Sequence, residues 1–152
     1  MLHWFRKKAE DYFAPHEKQT IINAIKHAEK QTSGEVRVFI ESKCSYVKAI
    51  DRAIELFEKL DMHKTVERNA VIVYVALKDR QLAIFADARI HEKVGQQFWN
   101  EQLKLMLEHF NQEDYVDGIA TVVKEIGEAL QTHFPHQKND VNELPDDIVF
   151  GK

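Results

Sequence analysis

Residues 67–87 read ERNAVIVYVALKDRQLAIFAD, and this pattern decides the fold. The run 70–77 is apolar on both faces, which is typical of a central strand covered on both sides. Residues 78–81 (Lys-Asp-Arg-Gln) have the composition of a tight turn, and a strand pattern resumes over 82–86. The stretch therefore predicts an antiparallel hairpin within a sheet.

Outside this hairpin, the pattern predicts another strand and several helices. Apolar and other residues alternate over 35–42, which predicts a strand. Apolar residues recur at helical spacing in further segments, and Asn111 is expected to cap the last helix. The predicted helices cover 15–31, about 46–60, about 91–109 and about 114–131.

The order of these elements indicates the fold class. A helix connects the first two strands, so they are expected to be parallel with a right-handed crossover, whereas the hairpin pair is antiparallel. Helices then cover both faces of the sheet. We predict an α/β protein, a three-layer α/β/α sandwich with a small mixed sheet.

Length and composition limit the number of domains that the chain can form and the classes of protein to which it can belong. The 152 residues suit one domain, and we divide them into an N-terminal segment (1–13), the α/β domain (14–134) and a C-terminal tail (135–152). An apolar clasp at 144–150 is expected to pack on the domain, as is the short segment around Trp4 and Phe5. The net charge of -4 argues against a general nucleic-acid binder.

Targeting signals are missing from the sequence pattern. No segment approaches the roughly 18 apolar residues of a membrane span. The first residues place their charges after a very short apolar stretch, which is the reverse of a secretion signal. The single cysteine, Cys44, cannot form an intramolecular disulfide. A cytoplasmic location without a transmembrane segment is therefore expected.

Polar side chains concentrate at one end of the predicted sheet, where the first two strands begin and the third ends. Glu67, Asn69 and Asp87 lie there and supply the oxygen ligands that calcium and magnesium prefer. His63 and His91 could instead form a softer, transition-metal site. The opposite, hairpin end carries fewer such groups.

Each of these residues also has a purely structural interpretation. Asp87 could cap the following helix, Asn69 could satisfy backbone groups at a strand end, and His91 could hydrogen-bond Asp87. Asp79 and Arg80 could simply pin the hairpin turn. The residues alone leave both interpretations open.

The order of motifs over 60–99 resembles the TPM domain family. The resemblance extends over about 17–134, and residues 142–147 look like the ending of a bacterial branch without a signal sequence. The stretches that carry it are Thr32–Val36, Leu60–Thr65, Arg68-Asn69, Val71–Leu77, Asp79-Arg80, Ala86–His91, Phe98-Trp99, His109-Phe110, Asp114-Tyr115 and Gly118-Ile119.

This resemblance implies an α/β/α sandwich that binds divalent cations. It also implies an acid-phosphatase label, which is attached to plant members, and members of the family often work beside membrane complexes. Carried over by position, it implies metal ligation by Asn69 and Asp87 first. A secondary or structural site at the hairpin turn is implied as well. The remaining implied ligands are Glu67, His63 and His91, and the secondary site is Asp79 and Arg80.

The chain departs from the family pattern near the implied site. Family members commonly carry glycines around the Asp87 turn and after Asn69, where this chain has Ala86, Arg89 and Ala70. Glycine permits close backbone approach, so ligation by backbone carbonyls is put in doubt. Arg89, like Arg68, could instead hold an anion.

Three functions remain compatible with the sequence. The first is a divalent-cation-binding interaction or assembly module, with calcium or magnesium favoured over zinc and a membrane-associated protein as partner. The second is a weak metal-assisted phosphomonoester hydrolase. The third is a metal-free scaffold. We favour the first because the sequence shows no self-sufficient pair of nucleophile and base.

Overall fold

A computed structural model describes residues 8–136 and 147–152 of the chain. Trp4, Phe5 and residues 144–146 of the predicted clasp lie outside the described residues. The helices are α1 (Pro15–Lys30), α2 (Ala49–Lys59), α3 (Ala88–Asn111) and α4 (Tyr115–His133), with short 3-10 helices at Ala9–Tyr12 and Met62–Lys64. The strands are β1 (Glu35–Glu41), β2 (Ala70–Ala76), β3 (Gln81–Ala86) and β4 (Ile148–Phe150).

The sheet has the order β3-β2-β1-β4 among the described residues. Strand β2 pairs in parallel with β1 and antiparallel with β3, as the sequence predicted. Strand β4 was not predicted: it pairs in parallel with β1, placing Ile148 beside Val38. The described part of the clasp thus packs on the domain as an edge strand.

Two apolar layers lie on opposite faces of the sheet. Val36, Val38 and Ile40 face a core built with α1, α3 and α4, which also contains Ala9 and Phe13. The other face packs against α2 in a second core. This arrangement confirms the three-layer α/β/α sandwich. No helix in the described ranges is both long and apolar enough to cross a membrane.

Several helix ends differ from the sequence prediction. Helix α3 begins at Ala88 because Asp87 caps it, and it kinks at Gly95, where φ is 80°. The prediction that Asn111 caps the last helix is wrong, because α3 continues through Asn111. Glu113 then adopts a left-handed φ of 59°, and Asp114 takes the N-cap position of α4. A left-handed residue is a usual way to end a helix.

The contribution of β4 can be measured with Ile148→Ala. This side chain is only 6% exposed, so its truncation should lower the free energy of unfolding by about 2 kcal/mol. Urea denaturation measures the loss. Lys152→Ala is the control because Lys152 contacts Ser42, just past β1, through its backbone oxygen. Equal urea midpoints for Ile148→Ala and the control would show that β4 does not stabilise the sheet edge.

Candidate functional site

Asn69 and Asp87 lie at neighbouring strand ends. Asn69 immediately precedes β2, and Asp87 immediately follows β3. The backbone amide of Asp87 donates to the carbonyl of Ala70 at 2.9 Å, and that of Arg89 to the carbonyl of Arg68 at 3.1 Å. Asn69 is fully buried and Asp87 is 4% exposed. The structure therefore places these two predicted ligands at one edge of the sheet.

The carboxylate of Asp87 already has partners within the chain. Its Oδ1 accepts from the backbone amide of Ala88 at 2.7 Å, so Asp87 does cap α3. Arg68 binds both oxygens, with Nε at 2.7 Å from Oδ2 and a terminal nitrogen at 2.8 Å from Oδ1. The hydrogen bond to Asp87 raises the pKa of Arg68. Asp87 is thus a helix cap and an ion-pair partner together.

Asn69 has an oxygen that no described residue satisfies. Its Nδ2 donates to the Oγ of Ser33 at 3.1 Å. Its Oδ1 is buried without a hydrogen-bond partner in the described structure, and so is the Oγ1 of Thr65 in the loop before β2. A buried acceptor left unpaired is costly. Amide and hydroxyl oxygens of this kind suit a hard cation such as calcium or magnesium.

The other predicted ligands are more exposed. Glu67 forms an ion pair with Arg89, and both side chains are well exposed. His63 is exposed on the 3-10 helix Met62–Lys64. His91 is also exposed, and its Nδ1 accepts from Nε1 of Trp99 at 3.1 Å rather than bonding the Asp87 side chain.

The arrangement favours oxygen donors over a histidine centre. In residues 8–136 and 147–152, no three side chains of His, Cys, Asp or Glu group closely enough to hold a metal. The buried oxygen-bearing side chains at this edge include the Asp87 carboxylate, the Asn69 amide and the Thr65 hydroxyl. Such a set fits a hard cation that keeps several water ligands.

The hairpin end holds a buried polar network that the sequence analysis missed. Glu41, at the end of β1, accepts two hydrogen bonds from Arg52, at 2.9 and 3.0 Å, and another from the hydroxyl of Tyr74. Arg52 also donates to Glu55, which accepts from Tyr46. Every member of this network has a partner, so it serves as a structural lock between α2 and the sheet.

The charges in this network are mutually stabilised. Burial and the hydrogen bond to Glu41 raise the pKa of Tyr74, so its phenol stays protonated. The hydrogen bonds to Glu41 raise the pKa of Arg52. The missed signal was Tyr74 itself, the one hydroxyl-bearing residue inside the apolar run 70–77.

Asp79 and Arg80 have structural contacts at the same end. The Oδ2 of Asp79 accepts from the backbone amide of Cys44 at 2.8 Å, which ties the β1–α2 loop to the hairpin. Arg80, with φ at 51°, lines a cavity of about 20 Å³ together with Phe110 and Tyr115. That volume holds about one water molecule. The Asp79 contact supports a pinning role for that residue.

Motif residues of the two long helices meet near this cavity. The Nδ1 of His109 lies 2.9 Å from the Oδ2 of Asp114, and the rings of Phe110 and Tyr115 pack edge to face. A Cβ at Gly118 would lie 2.7 Å from the Cβ of His109. The motif pairs at 109–110, 114–115 and 118 therefore hold the α3–α4 turn together.

The lock can be tested with Arg52→Met, which keeps the side-chain volume but leaves Glu41 as an uncompensated buried charge. We expect a loss of about 3 kcal/mol in the free energy of unfolding, measured by urea denaturation. Lys59→Met is the matched control because Lys59 is 67% exposed and forms an ion pair with Glu55 at 3.7 Å. Similar losses for the two variants would contradict a buried lock.

Comparison with solved structures supports the family suggested by the motifs. The chain is similar to the BA42 protein of the psychrophilic bacterium Bizionia argentinensis, with 35% identity, a TM-score of 0.84, and coverage of 92% of this chain and 96% of that one. It shares its fold with the N-terminal domain of the cg2496 protein of Corynebacterium glutamicum, at 13% identity and a TM-score of 0.59, covering 86% of this chain and 81% of that one.

A search of curated proteins gives no match. The family model described as the TPM domain matches residues 7–129. This match spans most of the chain and includes both strand ends that form the candidate site. The chain therefore belongs to the TPM domain family.

Proposed function

We propose that this chain is a divalent-cation-binding TPM domain that acts as an interaction or assembly module. The observation that carries the proposal is the Oδ1 of Asn69, a fully buried acceptor without a donor among the described residues, one strand away from the carboxylate of Asp87. A bound cation would satisfy this oxygen and would bring further positive charge to Asp87.

Asn69 and Asp87 would hold the cation, with Thr65 and Glu67 as the next oxygen donors. Calcium or magnesium suits these groups better than zinc, because zinc prefers sulfur and nitrogen ligands in closed tetrahedral sites. When bound, the ion would link the starts of β2 and α3 and the loop before β2. Arg68 and Arg89 would then lie at the rim, where either could contact an anion.

The loop before β2 supports the interaction role. Met62 is fully buried and Thr65 is 4% exposed, so both anchor the loop to the domain. Val66, which follows Thr65 in this loop, is 83% exposed. It therefore offers an apolar contact point beside the proposed cation site. The proposed partner is a protein, and its association with a membrane is an expectation drawn from the family resemblance alone.

Phosphomonoester hydrolysis is the alternative function. It would use the cation to polarise the phosphoryl group and an arginine to grip the phosphate. Arg68 and Arg89 are both paired with carboxylates in the structure, so substrate binding would first have to break an ion pair. The metal-free scaffold is the remaining alternative, in which the polar groups only stabilise the strand ends.

The proposal is tested by recording amide NMR spectra of metal-stripped protein while calcium, magnesium and then zinc are added. We expect saturable shifts confined to residues 61–69 and 87–91. Asp87→Asn, which retains a capping side chain, should weaken binding at least tenfold because the carboxylate is lost. Asp79→Asn is the control at the hairpin end and should bind like the wild type.

Other outcomes select the alternatives. Shifts centred on Asp79 and Arg80 would move the site to the hairpin end. No shifts at millimolar metal would leave the metal-free scaffold. Turnover of p-nitrophenyl phosphate that requires metal and disappears in Asp87→Asn would favour the hydrolase over the interaction module.

A further inference from the structure

Arg68 occupies the carboxylate that the proposed cation would need. Its guanidinium bonds both oxygens of Asp87, at 2.7 and 2.8 Å, while the amide of Ala88 shares Oδ1. A guanidinium and a divalent cation are both positive and would compete for the same lone pairs. The two cannot occupy this carboxylate in the same geometry without strong mutual repulsion.

The two partners differ in how easily they can move. Asp87 is 4% exposed and is held as the cap of α3, whereas the side chain of Arg68 is 51% exposed. An arginine at such a position can return its own charge to water at little cost, whereas the buried Asp87 carboxylate left without a positive partner would be an uncompensated charge. A bound cation would supply that compensation. The carboxylate therefore stays in place, and the guanidinium is the group that can leave.

Movement of Arg68 requires its side chain alone. Its backbone is held in the left-handed region at φ 52°, where residues other than glycine are uncommon. Its amide donates to the carbonyl of Thr65 at 3.3 Å, and its carbonyl accepts from the amide of Arg89 at 3.1 Å. Rotation of the long side chain away from Asp87 leaves both backbone bonds intact.

We infer that Arg68 is an internal counter-ion of Asp87 that competes with the cation and must leave when the cation binds. This inference rests on the proposed cation site and specifies how that site is regulated. The arginine compensates the buried carboxylate when no cation is bound. Only molecules in which the ion pair is broken can bind the cation, so the apparent cation affinity equals the intrinsic affinity multiplied by the fraction of such molecules. Any partner that draws Arg68 away would raise that affinity by the same coupling.

The first test compares cation affinity by isothermal titration calorimetry in metal-stripped wild type, Arg68→Gln and Arg68→Lys. We expect Arg68→Gln to bind calcium or magnesium about tenfold more tightly, because the competitor is gone. The cation affinity of Arg68→Lys should lie between those of the wild type and Arg68→Gln, because lysine keeps the positive charge but cannot form the bidentate pair. Lys64→Gln is the matched control: it removes the same charge from the same loop, where Lys64 pairs with Asp61 at 3.3 Å.

The second test needs no variant. The side-chain Nε–H signal of Arg68 in the wild type reports the ion pair directly, and it should shift to a solvent-exposed position as the cation saturates the site. A signal that keeps its position at saturation would overturn the inference. So would an Arg68→Gln affinity no higher than that of Lys64→Gln.

The two proposals fail in distinguishable ways. If the wild type binds the cation and Arg68→Gln binds no more tightly than the control, the cation site stands and the role of Arg68 is wrong. If neither the wild type nor Arg68→Gln binds any of the metals, both proposals are wrong. In the latter case Arg68 and Asp87 form a structural ion pair at the start of α3.

Discussion

Strand β2 is buried along its whole length, and this constraint determines where polar chemistry can occur. All seven of its residues are buried, between β1 and β3 in the sheet and beneath apolar layers on both faces. A strand covered in this way has almost no interior position for a solvated polar group. Functional groups must therefore lie at its two ends, where the chain enters or leaves the sheet.

The two ends of β2 differ in how completely their polar groups are paired. At the hairpin end, Glu41 accepts from both Arg52 and Tyr74, which gives a closed network that stabilises the fold. At the other end, the buried oxygens of Asn69 and Thr65 have no donor in the part of the chain that the structure describes. Natural proteins rarely retain such unpaired groups without a reason. The Oγ of Ser42 at the hairpin end is also buried without a partner among the described residues. The Asn69 end differs in having two such oxygens at the same sheet edge as the Asp87 carboxylate, and this is why the proposed ligand site is placed there.

Much of this arrangement could be predicted from the sequence because strong local patterns specify it. The apolar run 70–77, the tight turn and the strand 82–86 fix the hairpin, and its register brings Asn69 and Asp87 to one edge. Strand β4 could not be predicted in the same way. Its three residues are too few for a periodic signal, and its partner β1 is more than a hundred residues away in sequence.

The contacts of side chains at the site were also beyond sequence reasoning. Arg68 pairs with Asp87 from a left-handed backbone, and an arginine gives no signal for that conformation. The Glu41 network depends on one hydroxyl group within an otherwise apolar strand. Local pattern predicts where a residue lies along a strand, whereas the partner of a side chain depends on tertiary geometry.

The pairing of charges also bears on how a cation site could serve an assembly module. The carboxylates of Asp87 and Glu67 are each matched by a guanidinium, from Arg68 and Arg89. These two carboxylates are therefore matched in charge, and the oxygens of Asn69 and Thr65 are neutral. In the proposed site, cation affinity from these groups alone would be modest, because cation affinity rises with the number of charged ligands. A partner that supplies an acidic group, or engages one of the arginines, would complete the site, so that cation binding and partner binding reinforce one another.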